Sequence, residues 1–217
     1  MSATDPATTR PVSPSSQPLI FRQFDSQPYD TTWQAMRDFT DQRDDSVNDE
    51  IWMLQHPPVY TLGQAGKREH ILGATDIPVV QSDRGGQVTY HGPGQLIAYT
   101  LLNLRRRGLG VRDLVIELER SIINLLASYG VNAAGRRDAP GVYVEGRKIA
   151  ALGLRVRRGC CYHGLSLNVN LDLAPFNMIN PCGYPGLDVT STQQLGMEAD
   201  CPELAKELQQ LLKGQFG

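Results

Sequence analysis

The sequence predicts an α+β fold, a mixed sheet with flanking helices. Strand-like stretches follow one another as hairpins, which favours this class over a doubly wound sheet. Helical spacing is confined to a few stretches. The chain has 217 residues, 41% of them apolar, enough for one well-buried domain.

The elements follow in order. Residues 1–18, MSATDPATTRPVSPSSQP, hold almost nothing to bury and read as a disordered Ser/Pro-rich tail; the domain occupies 19–217. In YDTTWQAMRDF, Trp33, Met36 and Phe39 recur every three residues, a helix with Asp30 or Thr31 near its cap. EIWMLQ (50–55) is a strand that His56-Pro57-Pro58 ends. QVTYHG and QLIAYTLLNL are strand-like pieces separated by Gly92-Pro93-Gly94. Residues 111–130 form the clearest helix, with Leu114, Val115, Leu118, Ile122, Leu125 and Leu126 on one face and Gly130 as its stop. Residues 141–156 read as a hairpin around Glu145-Gly146. In HGLSLNVNLDL (163–173), Leu165, Leu167, Val169 and Leu171 alternate inward. PELAKELQQLLKG (202–214) is a last helix with Pro202 in its first turn.

Composition excludes several classes. A net charge of −2 argues against a dedicated nucleic-acid binder. No apolar run is long enough for a bilayer, and no secretory signal is visible, so a cytoplasmic location is the expectation. Cys160, Cys161, Cys182 and Cys201 do not make a disulfide framework. Residues 84–158 hold 13 Lys+Arg against 5 Asp+Glu, an excess of +8, while the rest holds 8 against 18. The charges are either solvated and mixed by folding, or a basic face for an acidic partner built from Arg105, Arg106, Arg107, Arg155, Arg157 and Arg158.

Four stretches carry chemistry. RGGQVTYHGPGQ (84–95) has four glycines in twelve residues. Two turns explain the glycines but not the clustered Arg84, Tyr90, His91 and Gln95. It contains neither a dinucleotide fingerprint nor a Walker A loop. In GRKIAALG (146–153), Lys148 stands beside Ala150, Ala151 and Gly153, and small residues on a strand can form a slot for a slender ligand. YHGLSLNVN (162–170) offers Gly164 and Ser166 as a second wall. In FNMINPCGYPG (176–186), Pro181 and Gly183 hold one thiol in an accessible loop. A nearby cation lowers a thiol pKa and activates it as a nucleophile; Lys148, His91 and His163 are the candidates. A zinc site from Cys160, Cys161, His163 and Cys182 is the rival reading, and it lacks the usual paired spacing.

In this order, RGGQVTYHGPGQ, GRKIAALG, YHGLSLNVN and FNMINPCGYPG resemble the lipoyl(octanoyl) transferases of lipoate biosynthesis, and VTSTQQLG (189–196) continues the match. The resemblance spans about residues 19–213. It implies a fold similar to the catalytic domains of biotin and lipoate protein ligases. It implies transfer of an octanoyl or lipoyl group from acyl carrier protein to a lysine of lipoyl domains. Those acceptors belong to 2-oxoacid dehydrogenase complexes and to the glycine cleavage H protein. It implies a reaction without cofactor, metal, nucleic acid, membrane or ATP.

The family's roles fall on Cys182 as acyl acceptor and on Lys148 as its assistant. Substrate-binding stretches fall on Arg84, Gly85, Gly86, Gln87, Val88, Thr89, Tyr90 and His91, on Ala151, Leu152 and Gly153, and on Gly164, Leu165 and Ser166. Ser166 stands where many members carry Ala, and is small enough to keep a slot open. At about 0.8 kcal/mol per buried CH₂, six methylenes contribute roughly 5 kcal/mol to holding the chain. The basic middle, Arg157 and Arg158 in particular, is expected to steer the acidic carrier. Two alternatives remain: an ATP-dependent lipoate or biotin protein ligase, and a non-catalytic acyl-binding protein.

Overall fold

A computed structural model describes residues 17–137, 139–183 and 186–217, with Cys182 described by its backbone. The expected tail therefore lies almost wholly outside the described residues. Among the described residues, ten strands and four helices follow in chain order. They are β1 (Leu19–Ser26), α1 (Tyr29–Gln42), β2 (Asp49–Gln55), β3 (Val59–Leu62), β4 (Val79–Gln81), β5 (Val88–His91) and β6 (Gln95–Leu101). After them come α2 (Leu104–Arg107), α3 (Val111–Ser128), β7 (Ala134–Gly135), β8 (Gly141–Val144), β9 (Arg147–Arg157), β10 (Cys160–Asn168) and α4 (Cys201–Phe216). Seven strands form one sheet in the order β1-β2-β6-β10-β9-β8-β7, in which only β1 and β2 are parallel. A smaller sheet has the order β4-β3-β5, with β3 and β4 parallel. The architecture is the expected mixed α+β.

Strand alternation sorts side chains onto two faces. Ile51 and Met53 of β2, with Leu96 and Ala98 of β6, meet α3 and α4 on one face. Leu114, Leu118, Ile122, Leu125 and Leu126 of α3 lie in that core, each worth about 1.5–3 kcal/mol relative to exposure. Trp52, Leu54, Ile97, Tyr99 and Leu101 point the other way, onto Met36, Trp33 and Phe39 of α1. Central β10 is buried along its whole length, as a strand covered on both faces must be.

Several expectations change in detail. Helix α1 begins at Tyr29, with Pro28 at the cap position and no side-chain cap; Thr32 donates to the Pro28 carbonyl through both its amide and its hydroxyl. Strand β10 starts at Cys160, three residues earlier than expected, and Leu171 packs in the small sheet's core rather than the main one. Val115 is half-buried and stays outside the core. The hairpin turn, by contrast, falls at Glu145-Gly146 as expected, where φ is 51° and 80°.

Several arginines of the middle segment are engaged in ion pairs within the chain. Arg106 and Arg107, with Arg43, converge on buried Asp49 at 2.7, 2.5 and 2.6 Å. Burial alone would push the Asp49 carboxyl up. The Asn103 amide and these guanidiniums overcome it and hold the carboxyl low. Arg107 also donates to the Phe216 carbonyl, tying α4 to α2. Arg157 and Arg158 both pair with Asp41 of α1.

Candidate active site

The site lies where the small sheet covers β9 and β10. Ala151 and Gly153 of β9 and Gly164 and Ser166 of β10 face away from the α3–α4 core. They form one wall of a cavity enclosing about 520 Å³ of atom-free space, its mouth included. Small side chains on two adjacent strands leave this space open. A bulge in the β8–β9 pairing at Val142/Tyr143 shifts the alternation of β9. Ile149 and Ala150 therefore both enter the core, while Lys148 joins Ala151 on the site's side.

The opposite wall is the 84–91 stretch. Arg84, Gly86, Gln87, Val88, Thr89 and His91 line the cavity, as do Leu152 and Leu165 from the strands. Arg84 is buried and its guanidinium is committed to the protein. It donates to Thr61 Oγ1 at 3.0 Å and to the carbonyls of Thr61, Gln87 and Gly85 at 2.6, 2.7 and 2.9 Å. It fixes the turn. The Gly85 amide donates to the Leu154 carbonyl at 2.9 Å, seating that turn on β9. A Cβ at Gly153 would stand 3.2 Å from the Gly85 carbonyl oxygen, so a side chain there would crowd this approach. Gly85 and Tyr90 are not among the cavity's lining residues. Gly85 acts through its backbone, and the Tyr90 ring packs on Tyr60 and Phe176 in the small sheet's core.

Tyr29, Ile97, Tyr99 and His163 complete the lining. A left-handed backbone at His163, φ 61°, breaks the β10 alternation and brings its imidazole to the site's side. Its Nε2–H donates to Asp83 Oδ1 at 2.9 Å, and Asp83 also accepts from Trp33 Nε1 and the Tyr162 hydroxyl. Burial opposes charge on Asp83, but these three donors hold its carboxyl well below the usual range. Burial lowers the His163 pKa despite Asp83 beside it. Burial, then the neighbouring His56, lowers His91 to about 3. His91 is held by Gln95 Oε1 at 2.7 Å. Burial disfavours the cationic form of both histidines, so neither is well suited to offer a thiolate a positive charge.

Lys148 remains. It is only 3% exposed. Its Nζ donates to the Pro140 carbonyl at 3.1 Å and sits 5.2 Å from the centre of the Tyr143 ring. Its amide donates to the Asp188 carbonyl at 2.8 Å, and its carbonyl accepts from Thr190 N at 2.9 Å. Lys148 lines a small chamber with Gln95, Asn168, Phe176, Pro181 and Val189. Thr89, Ala151 and Ser166 line this chamber and the cavity alike, so the two adjoin.

Cys182 sits in a 3-10 turn, Pro181–Gly183, and its side chain lies outside the described residues. The turn is anchored on both sides. Gly183 N donates to the Asn180 carbonyl at 2.9 Å, and Asn180 N to the His70 carbonyl at 2.9 Å. Gly183 has φ 78°, and a Cβ there would stand 3.1 Å from Gln87 Cγ, so the turn packs on the 84–91 wall. The other cysteines are buried, and burial raises Cys160, pushes Cys161 up to about 12 and Cys201 up to about 11. They stay as neutral thiols. Among the described residues no three metal-binding side chains converge. The arrangement is a narrow slot adjoining a small chamber that a buried lysine lines, beside a loop that carries a cysteine.

The family model of the lipoyl protein ligase A/B catalytic domain matches residues 28–213. The octanoyltransferase of Halorhodospira halophila is 62% identical over 187 residues, 86% of each chain. The chain belongs to the octanoyltransferase family. Octanoyltransferases share their catalytic-domain fold with ligases. A lipoate-protein ligase A solved with ATP superposes with a TM-score of 0.73 over 92% of this chain and 85% of that one, at 13% identity. The biotin protein ligase of Aquifex aeolicus, solved with biotin and ATP, gives 0.54 over 91% and 69%, at 14% identity. At such identities the likeness concerns the fold alone. No helix among the described residues of this octanoyltransferase family member is long and apolar enough to cross a membrane.

Proposed function

We propose that the chain moves an octanoyl group from octanoyl-acyl carrier protein to a lysine of lipoyl domains, by way of a thioester on Cys182. The acceptors are the lipoyl domains of 2-oxoacid dehydrogenase complexes and the glycine cleavage H protein. One observation carries this reading. Lys148 is buried and lines a small chamber that Pro181, the neighbour of Cys182, also lines, and that chamber adjoins the cavity between the 84–91 stretch and β9–β10.

The Cys182 thiolate attacks the thioester carbonyl of the donor. The C–S bond to the carrier breaks, and the departing thiolate takes a proton. The acceptor lysine, as a free amine, then attacks the new thioester and loses a proton, and Cys182 leaves as thiolate. An amide remains on the lipoyl domain. Lys148 favours the thiolate by its charge and relays the proton in each half-reaction. The acyl tail lies along β10, whose rise from Asn168 to His163 is about 17 Å. Thioester exchange is near balance and aminolysis runs downhill, so no adenylate is required.

Intact mass after mixing with octanoyl-acyl carrier protein tests this. One octanoyl adduct is expected on the wild type and none on Cys182→Ser. Absence of the adduct, together with turnover of free octanoate and ATP, would assign the ligase reaction instead.

A further inference from the structure

We propose that the groove between α3 and Gly135, Arg136, Arg137 and Pro140 is the docking site for an acidic amphipathic helix of the protein that delivers the acyl thioester. The inference rests on the reading of the chain as a carrier-dependent octanoyltransferase. The groove has an apolar floor. Val115, Ile116 and Ile123 of α3 are half-buried there, and Val111 is 46% exposed. Val111, Val115 and Ile116 stay outside the main core, while Ile123 also packs against it. An open apolar groove beside a helix suits a partner helix.

The rim supplies the sign of the partner. Among the described residues, Arg112, Arg120, Arg136 and Arg137 line the groove with one carboxylate, Glu119. Arg120 also pairs with Glu117 at 3.2 Å, and Glu119 accepts from the Gly141 amide at 2.8 Å. The balance is positive, and it complements carboxylates flanking an apolar stripe.

The position ties the groove to the chemistry. Pro140 lines the groove, and its carbonyl accepts from Lys148 Nζ at 3.1 Å. One residue layer separates the groove from the buried amine. Arg157, by contrast, lies nine residues along β9 from Lys148, about 30 Å at strand rise. It and Arg158 are paired with Asp41. The steering role that the sequence suggested for those two belongs to the groove instead.

Other occupants fit less well. Residues 1–16 contain one acid, Asp5, and one base, Arg10, and so bring no net charge to complement four arginines. A second copy meeting this one groove to groove would set like charges together.

The test uses the full chain with Arg112→Glu and Arg137→Glu combined, and separately Ile116→Glu. Three quantities are measured: kcat/KM with octanoyl-acyl carrier protein, kcat/KM with an octanoyl thioester of a small thiol, and KM for the lipoyl domain. The expected result is a loss of about tenfold or more with the carrier-bound donor alone. The wild-type rate with that donor should fall as salt rises from about 50 to about 200 mM, and the double variant should lose that dependence. Unchanged carrier kinetics, or equal losses with both donors, would overturn the proposal. A rise confined to the lipoyl-domain KM would give the groove to the acceptor. A carrier KM that falls when residues 1–16 are deleted would give it to the chain's own N-terminus. A wild type that turns over neither donor would instead sink the octanoyltransferase reading.

Discussion

Lys148 pairs with Val189 as an isolated parallel bridge, an attachment made wholly through main-chain atoms. The segment after the Cys182 turn is thereby stitched to the start of β9. The positioning survives loss of the lysine side chain, while the charge does not. Lys148→Met should fold with a Tm near that of the wild type. Its rate of lipoyl-domain octanoylation, followed by mass, should drop about 10²–10⁴-fold, the range for a lost proton-transfer group. A drop smaller than threefold would take Lys148 out of the reaction.

Acid should weaken the protein through two buried histidines. Burial lowers His56 to about 4, and burial with the His56 charge lowers His91 to about 3. An unfolded histidine titrates near 6.5, so as pH falls below that value the unfolded chain binds protons that the folded chain refuses. Stability is full above about pH 6.5 and declines toward pH 4, by up to about 1.4 kcal/mol per pH unit for each histidine. Urea melts of the wild type and His91→Gln between pH 7 and pH 4 check this. The variant should show a shallower decline, and parallel curves would contradict the assignment.

Ser166 stands where the chamber meets the cavity. A bulky residue there should block a long acyl tail and spare a short one. With the wild type, kcat/KM should rise about fourfold per added methylene from butanoyl to octanoyl thioesters, as about 0.8 kcal/mol per CH₂ requires. Ser166→Leu should flatten that series. A parallel loss at every chain length would place the acyl chain elsewhere.

Local pattern revealed the fold where local chemistry decides it. Glu145-Gly146 turns because both residues adopt left-handed backbone, and α3 shows its core face through Leu114, Leu118, Ile122 and Leu125. Strand β1 escaped notice because five of its eight residues are exposed and no alternation marks it. Strands β3 and β4, of four and three residues, are too short to carry a period. Part of the glycine-rich stretch, Arg84, Gly86 to Thr89 and His91, lines the cavity with the small residues Ala151, Gly153, Gly164 and Ser166 of β9 and β10. Its remaining lining is contributed by Tyr29, Ile97 and Tyr99, residues of α1 and β6 that nothing local associates with the glycine motifs. Arg106 and Arg107 suggested a basic surface because their partner, Asp49, lies 57 and 58 residues away. No window of sequence shows such a pair.

The turn at Gly85 also has a bearing on solubility. Beyond Ala151, β9 has no β8 residue beside it, and the Gly85 amide occupies the Leu154 carbonyl that another chain's strand would otherwise seek. The stretch that walls the pocket thus doubles as a stopper on a bare sheet margin. Any motion that widens the pocket on that side unveils sticky backbone, so substrate entry through it and resistance to self-association trade against each other.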